Sequence, residues 1–301
     1  MSRKTIELRG AMTALVTPLT DGGKLDVESL EKLARWQVEQ GIHGLVPCGT
    51  TGEGATLDDR EKGEVVAAVV RAAEGRVPVI AGVGSNATRS TLAAAQVAAE
   101  AGADALLVVS PYYNKPNRSG MIAHYEAVAR ETPLPVVVYN VPGRTGQDLG
   151  AGLILELAQI PGIVAVKEAS GNLDQIATIL DGREAGFSVL SGDDPLALPA
   201  MALGAEGVIS VVSNEAPREM ARMIDAARDG DGEMARAIHF RLLPLMRANF
   251  IETNPVPVKT AMHLLGHCGL ALRPPLGPPS EGTIALLREA LERAGLGGAK
   301  H

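Results

Sequence analysis

Aromatic side chains are scarce in this 301-residue chain: one Trp, four Tyr and three Phe. That scarcity speaks against a base-stacking surface, which needs several exposed rings. Only two cysteines occur, Cys48 and Cys268, far apart and outside any CxxC or Cys/His cluster. A disulfide framework is thereby excluded, and free thiols in a reducing compartment are the simple reading. No run stays apolar for the roughly 18 residues that a membrane span requires. The basic residues behind Met1 are followed by no apolar stretch, so no signal peptide and a cytoplasmic location are expected. Positive charge forms no stripe and the net charge is −7, which argues against nucleic acid as the main partner. Any anion site must therefore be built locally.

What is present is an alternation. Short apolar or β-rich runs occur at Ala11–Thr17, Gly44–Cys48, Val77–Val83, Ala105–Ser110, Pro135–Val141, Ile163–Ala169, Phe187–Ser191 and Gly207–Val212. Each is followed by a stretch of helical period. Ala105-Leu-Leu-Val-Val and Val136-Val-Val are near-continuous, as in strands covered on both faces. Asp26 is placed to cap a helix that Gly41 stops, and Asp194 to cap one that begins with Pro195 and ends at Gly204. Further helices are expected near 58–74 and 88–101. Eight such units imply a parallel sheet closed into a (β/α)8 barrel over residues 1–214. An open doubly wound sheet is the rival, but Thr17-Pro-Leu-Thr after the first strand is not its glycine fingerprint. Beyond residue 214 the strand signals stop. Helical stretches near 217–228, 232–249, 257–265 and 281–294 predict a C-terminal helical region, 215–301, packed on the barrel. Arg273-Pro-Pro-Leu-Gly-Pro-Pro reads as a stiff turn within it.

Active sites of such barrels lie at the C-terminal ends of the strands. Those ends carry Gly49-Thr-Thr-Gly-Glu, Ser110-Pro-Tyr-Tyr-Asn, Tyr139-Asn-Val-Pro-Gly-Arg, Lys167-Glu-Ala-Ser and Ser191-Gly-Asp-Asp. Lys167 follows Ile163-Val-Ala-Val, so it falls in a strand that should be buried. Glu168 points to the opposite face and is not placed to neutralise it. An ammonium is costly to bury, and an uncharged lysine amine is a nucleophile. The plainer reading is a lysine that reaches solvent at the strand mouth or pairs elsewhere. The Gly49–Glu53 loop offers hydroxyls and N–H groups to a small anion, or is an ordinary strand-to-helix turn. Arg144, presented by Pro142-Gly143, suits a carboxylate or is simply solvated. Tyr113 and Tyr139 could relay protons or only pack. His263 and His267 have i, i+4 spacing, but no acidic or cysteine ligand stands nearby in sequence, so no metal is expected.

Taken together these segments resemble the dihydrodipicolinate synthase family, within the pyruvate-dependent aldolases that include N-acetylneuraminate lyase. The matching stretches are Gly49-Thr-Thr-Gly-Glu, Pro111-Tyr-Tyr-Asn-Lys-Pro, Tyr139-Asn-Val-Pro-Gly-Arg-Thr-Gly, Val166-Lys-Glu-Ala-Ser-Gly, Ser191-Gly-Asp-Asp, Gly207-Val-Ile-Ser-Val and Asn254-Pro-Val-Pro-Val-Lys, in family order along nearly the whole chain. The resemblance implies a lyase of lysine and diaminopimelate biosynthesis that joins pyruvate to L-aspartate 4-semialdehyde. Lys167 would form the Schiff base, and the Thr50-Thr51 loop would hold the pyruvate carboxylate. Tyr139, Thr50 and Tyr113 would relay protons, Tyr113 across a tight dimer interface. Arg144 would receive the carboxylate of the aldehyde, and Ile209 would line the pyruvate pocket. The resemblance further implies no metal, no organic cofactor and a homotetramer built as a dimer of tight dimers.

One departure from the family pattern stands out. Members inhibited by lysine resemble one another in a His after the Gly-Thr-Thr-Gly-Glu loop and a Glu after the Asn-Ala-Thr segment. This chain has Lys62 and Ser90 there. An effector ammonium would lose a carboxylate and meet another cation, so weak or absent lysine inhibition is expected. Rival readings are an aldolase for a different aldehyde, such as a sugar acid, and a keto-acid-binding barrel without turnover. Arg144 speaks for a carboxylate-bearing aldehyde. A buried amine beside hydroxyls speaks for catalysis.

Overall fold

Short runs of Val, Ile, Leu and Ala, punctuated by Gly and Pro, form eight parallel strands. They are β1 (Gly10–Ala14), β2 (Gly44–Val46), β3 (Ile80–Gly82), β4 (Ala105–Val109), β5 (Val136–Asn140), β6 (Ile163–Glu168), β7 (Ser188–Ser191) and β8 (Gly207–Ser210). The computed structural model describes Ile6 and residues 8–297. The segment read for a targeting signal and the outer bounds of the two expected regions thus lie mostly or wholly outside the described residues.

The strands are ordered β2-β1-β8-β7-β6-β5-β4-β3. A parallel bridge, Leu45 to Val79, and a bond from the Gly82 N–H to Pro47 O (2.9 Å) join the two ends of that sheet, so the eight strands make a (β/α)8 barrel closed at a thin seam. Seven of the strands fall within their expected runs, and β1 starts one residue ahead of its own, at Gly10. Alternation along the strands divides their side chains into two layers. Met12, Ala14, Val46, Ile80, Leu107, Val137, Tyr139, Ala165, Leu190 and Ile209 face inward and pack on one another. Ala11, Leu45, Ala81, Leu106, Val138, Val166, Val189 and Val208 face outward into the larger core beneath the helices. Burying each larger side chain of these layers contributes roughly 1.5–3 kcal/mol, and this two-sided burial is why the strands read as unbroken apolar runs.

Helix starts follow local chemistry. The Asp26 carboxylate accepts from the Ser29 N–H at the head of Val27–Glu39. Asp58 and Glu61 form a reciprocal capping box at the head of Asp59–Ala73. The expected cap at Asp194 is corrected. Asp193 is the N-cap of the helix Asp194–Ala202 and makes no side-chain cap bond. The Asp194 carboxylate is buried and instead accepts from the N–H groups of Val211 (3.0 Å) and Val212 (2.8 Å). Two backbone donors just beyond β8 satisfy it better than its own helix end would.

After β8 come the helices Pro217–Arg228, Gly232–Ala248, Val256–Leu264 and Glu281–Arg293. Each agrees with its expected stretch to within a residue. They pack over the barrel, and two of them bring side chains to its mouth. The proline-rich turn is held by Arg273. Its guanidinium donates to both oxygens of Glu61 (2.7 and 2.6 Å), to Thr56 O (2.8 Å) and to Gly23 O (2.9 Å).

Candidate active site

Period-two alternation in Ile163–Glu168 sends Ala165 and Lys167 into the barrel and Val166 and Glu168 outward. Lys167 is only 5% exposed. The parallel register sets Tyr139 of β5 beside it, and the Lys167 Nζ lies 4.3 Å from the centre of the Tyr139 ring. Glu168 is committed on the other face. It accepts from Asn140 Nδ2 (2.8 Å), Gln175 Nε2 (3.2 Å) and the Ser170 N–H (2.6 Å). The amine and the neighbouring carboxylate are therefore kept apart by the pleat. At the end of β7, Gly192 leaves room for the lysine stem: a β-carbon there would sit 2.6 Å from Ala169 Cβ and 3.0 Å from Lys167 Cε.

The loop after β2 is a tight turn. Glu53 N–H donates to Thr50 O and Gly54 N–H to Gly49 O, both at 3.1 Å. A β-carbon at Gly54 would meet Cys48 O at 2.1 Å, so no side chain fits there. Three contacts pin the turn. Thr17 Oγ1 donates to Gly52 O at 2.7 Å. Glu53 pairs with Lys259 at 2.5 Å, both side chains out of solvent. Asn254 Nδ2 donates to Thr51 Oγ1 at 3.0 Å. After β5, the short helix Pro142–Thr145 presents Arg144, whose Nη2 donates to Asn254 O at 3.2 Å.

These elements enclose a cavity of about 320 Å³ lined by Lys167, Tyr139, Thr50, Thr51, Arg144 and Asp193, among others. Lys167, Arg144 and Arg247 are its cations and Asp193 its one carboxylate, which burial pushes above the usual range. A second cavity of about 500 Å³ shares Thr50, Tyr139, Arg144 and Asn254 and extends past Tyr112, Lys62 and Ser85. A buried lysine amine, a phenol, hydroxyls and a guanidinium thus surround a space suited to small anionic compounds.

Two expected residues line neither cavity of their own chain. Tyr113 is 88% exposed, with φ +73°, and lines neither cavity of its own chain. Ile209 is fully buried in the inward layer; Val211, two residues on, is what reaches the cavity wall. Gly192, Arg247 and Asn254 also line the smaller cavity, where the sequence reading placed none of them. Asn254 stands in a motif that was legible, but nothing local shows that a residue before the helix Val256–Leu264 reaches the mouth of a distant barrel. His263 Nδ1 lies 3.2 Å from Cys268 O and His267 stacks on Trp36, so the two face separate partners. Among the described residues no three His, Cys, Asp or Glu side chains group as a metal site, and no helix is long and apolar enough to cross a membrane.

Comparison with known proteins gives a consistent result. The model of the dihydrodipicolinate synthetase family matches residues 7–294. A 4-hydroxy-tetrahydrodipicolinate synthase of Maridesulfovibrio salexigens is 49% identical over 289 residues, covering 96% of this chain and 99% of the relative. The chloride-inhibited dihydrodipicolinate synthase from Acinetobacter baumannii, solved in complex with pyruvate, superposes with a TM-score of 0.94 at 41% identity, covering 96% of this chain and 100% of that one. The DHDPS from Cyanidioschyzon merolae with lysine bound gives 0.92 at 42% identity, with 96% and 98% covered.

Proposed function

This chain belongs to the dihydrodipicolinate synthetase family of enzymes, and we propose that it condenses pyruvate with L-aspartate 4-semialdehyde through a Schiff base on Lys167, giving 4-hydroxy-tetrahydrodipicolinate. The observation that carries this reading is the buried Lys167 amine, 4.3 Å from the Tyr139 ring in a cavity that also holds Thr50, Thr51 and Arg144.

The amine attacks the keto carbon of pyruvate and water leaves, forming the imine. The protonated imine draws electrons from the methyl group, which loses a proton to give an enamine. The enamine carbon attacks the aldehyde carbon, whose oxygen takes up a proton. Attack of the aldehyde's own amino group on the imine carbon then closes the ring and frees Lys167. Each step moves one proton, so a phenol beside the amine and a threonine hydroxyl at the cavity wall suit the work. Thr50 and Thr51 receive the pyruvate carboxylate. Arg144 receives the carboxylate of the aldehyde as a charge-assisted partner. The imine is itself the electron sink, so neither metal nor organic cofactor enters the scheme.

Tyr113, standing out from its own chain, is suited to complete the relay in a second subunit, in a tight dimer that pairs into a tetramer. Mixing inactive Lys167→Ala and Tyr113→Phe chains should then restore activity, and sedimentation should show a homotetramer. Lys62 lines the larger cavity, with Asp59 Oδ1 3.6 Å from its Nζ, and Ser90 is exposed on the helix Thr88–Glu100. Lysine should therefore inhibit weakly or not at all, and a sub-millimolar inhibition constant would contradict this.

The central test is chemical. Borohydride reduction in the presence of pyruvate, followed by peptide mass spectrometry, should place a reduced adduct on Lys167, absent from Lys167→Ala. An unmodified Lys167 would overturn the assignment. Turnover with aspartate 4-semialdehyde beside a panel of other aldehydes then tests the second substrate.

A further inference from the structure

We infer that Asn254 is a positioning residue that orients the Thr51 hydroxyl for the pyruvate carboxylate and so sets the affinity for the first substrate. The inference rests on the reading above, in which Thr51 is part of the pyruvate carboxylate site.

The argument begins with hydrogen-bond capacity. A threonine hydroxyl has one proton to donate and lone pairs to accept. Asn254 Nδ2 lies 3.0 Å from Thr51 Oγ1 in a buried contact and is an obligate donor in that arrangement. The amide therefore occupies a lone pair of the hydroxyl and leaves the proton for another acceptor. Thr51 is 2% exposed and lines the same cavity as Lys167. A carboxylate entering that cavity is an acceptor only, so it meets a hydroxyl already turned to donate.

The contact is held from both sides. Asn254 is 6% exposed. Five residues on, Lys259 forms its ion pair with Glu53 at 2.5 Å, two residues beyond Thr51 in the same turn. The Arg273 N–H donates to the second oxygen of Glu53 at 3.1 Å. The segment 254–259 is thus fastened to the turn 50–53 at two points, one neutral and one charged. Its placement against the barrel is not left to the single amide. The main-chain oxygen of Asn254 also accepts from Arg144 Nη2 at 3.2 Å. That bond uses the backbone and survives a change of side chain. The side chain of residue 254 should therefore act on pyruvate, and its backbone on the site proposed for the aldehyde.

The experiment measures the pyruvate dependence of borohydride trapping on Lys167, together with the KM for each substrate. Asn254→Ala should raise the half-saturating pyruvate concentration by about three- to tenfold, the loss expected for one net hydrogen bond. The KM for the aldehyde and kcat should stay within about twofold, because Arg144 keeps its backbone partner. Thr51→Val should weaken pyruvate to a similar extent. The Asn254→Ala/Thr51→Val chain should be no weaker than Thr51→Val alone, since the amide acts only through the hydroxyl. Asn254→Asp, which cannot donate and adds a charge, should weaken pyruvate more than Asn254→Ala. An unchanged pyruvate dependence, or single effects that multiply in the double variant, would overturn the inference. Should Asn254→Ala fail to fold, Asn254→Leu, close in shape and without a donor or a charge, measured alone and with Thr51→Val decides by the same non-additivity. Absence of an adduct in the unmodified enzyme would instead reject the Schiff-base reading itself.

Discussion

A methyl group at residue 192 has nowhere to go except into Ala169 and the stem of Lys167. Contacts of 2.6–3.0 Å force a shift, and the lysine stem is the part able to yield. Displacement by even 1 Å from an attack geometry can cost about a hundredfold in rate. Gly192→Ala should therefore slow borohydride-trapped imine formation by at least about tenfold while the chain still folds, which circular dichroism would verify. A second residue-level prediction concerns Glu215, just after β8. Its side chain is fully buried, and burial, only partly offset by Asn249, holds its carboxyl well above the usual range. The native state thus keeps a proton that the unfolded chain releases. Stability contributed by that proton is present below the unfolded value of 4.5 and is lost as pH rises from there toward the native value. Glu215→Gln keeps the shape without the titration. It should raise the melting temperature at pH 7 by about 2 °C or more and leave it little changed at pH 4.

At the scale of elements, Arg273 fastens the proline-rich turn to the helix Asp59–Ala73. Its guanidinium beside Glu61 holds that carboxyl at about 2, against an ordinary 4.5. A lowered carboxyl works in the opposite sense. Its stabilising effect is present above pH 4.5 and disappears as pH falls toward 2. Thermal melts of the parent chain should show that loss between these values, and Glu61→Gln should show a weaker one. The buried Glu53–Lys259 pair is a stiffer fastening. Removing one partner leaves a charge without solvent or counter-ion, so Lys259→Met should destabilise the chain by about 3–5 kcal/mol, read from denaturant unfolding. Pairing that change with Glu53→Gln should recover much of the loss.

Across the whole molecule, the barrel is unevenly sewn. β5 and β6 pair along five registered positions, whereas β2 and β3 are joined by the Leu45–Val79 bridge and a bond from the Gly82 N–H to Pro47 O. Local opening follows the density of backbone bonds and packing. Amide hydrogen exchange should therefore be faster at Leu45 than at Val138 or Val166, and equal protection would contradict this account of the seam.

Periodicity and local punctuation by themselves determined the eight strands, the C-terminal helices and the opposite facing of Lys167 and Glu168. Each depends on a residue's neighbours in sequence: a strand buried on both faces must read as an apolar run, and a pleat must alternate. Tyr139, Thr50, Thr51 and Arg144 were legible as strand-end residues for the same reason. The tertiary structure alone decided which of those ends meet. It turned Tyr113 outward, put Val211 rather than Ile209 on the cavity wall, and gave Asp194 to the backbone beyond β8 instead of its own helix. It also brought Asn254 to Thr51 across 203 residues of chain. Such choices follow from closing the barrel and folding the last helices over its mouth, where a side chain's partner is set by distance in space, which no local pattern of residues encodes.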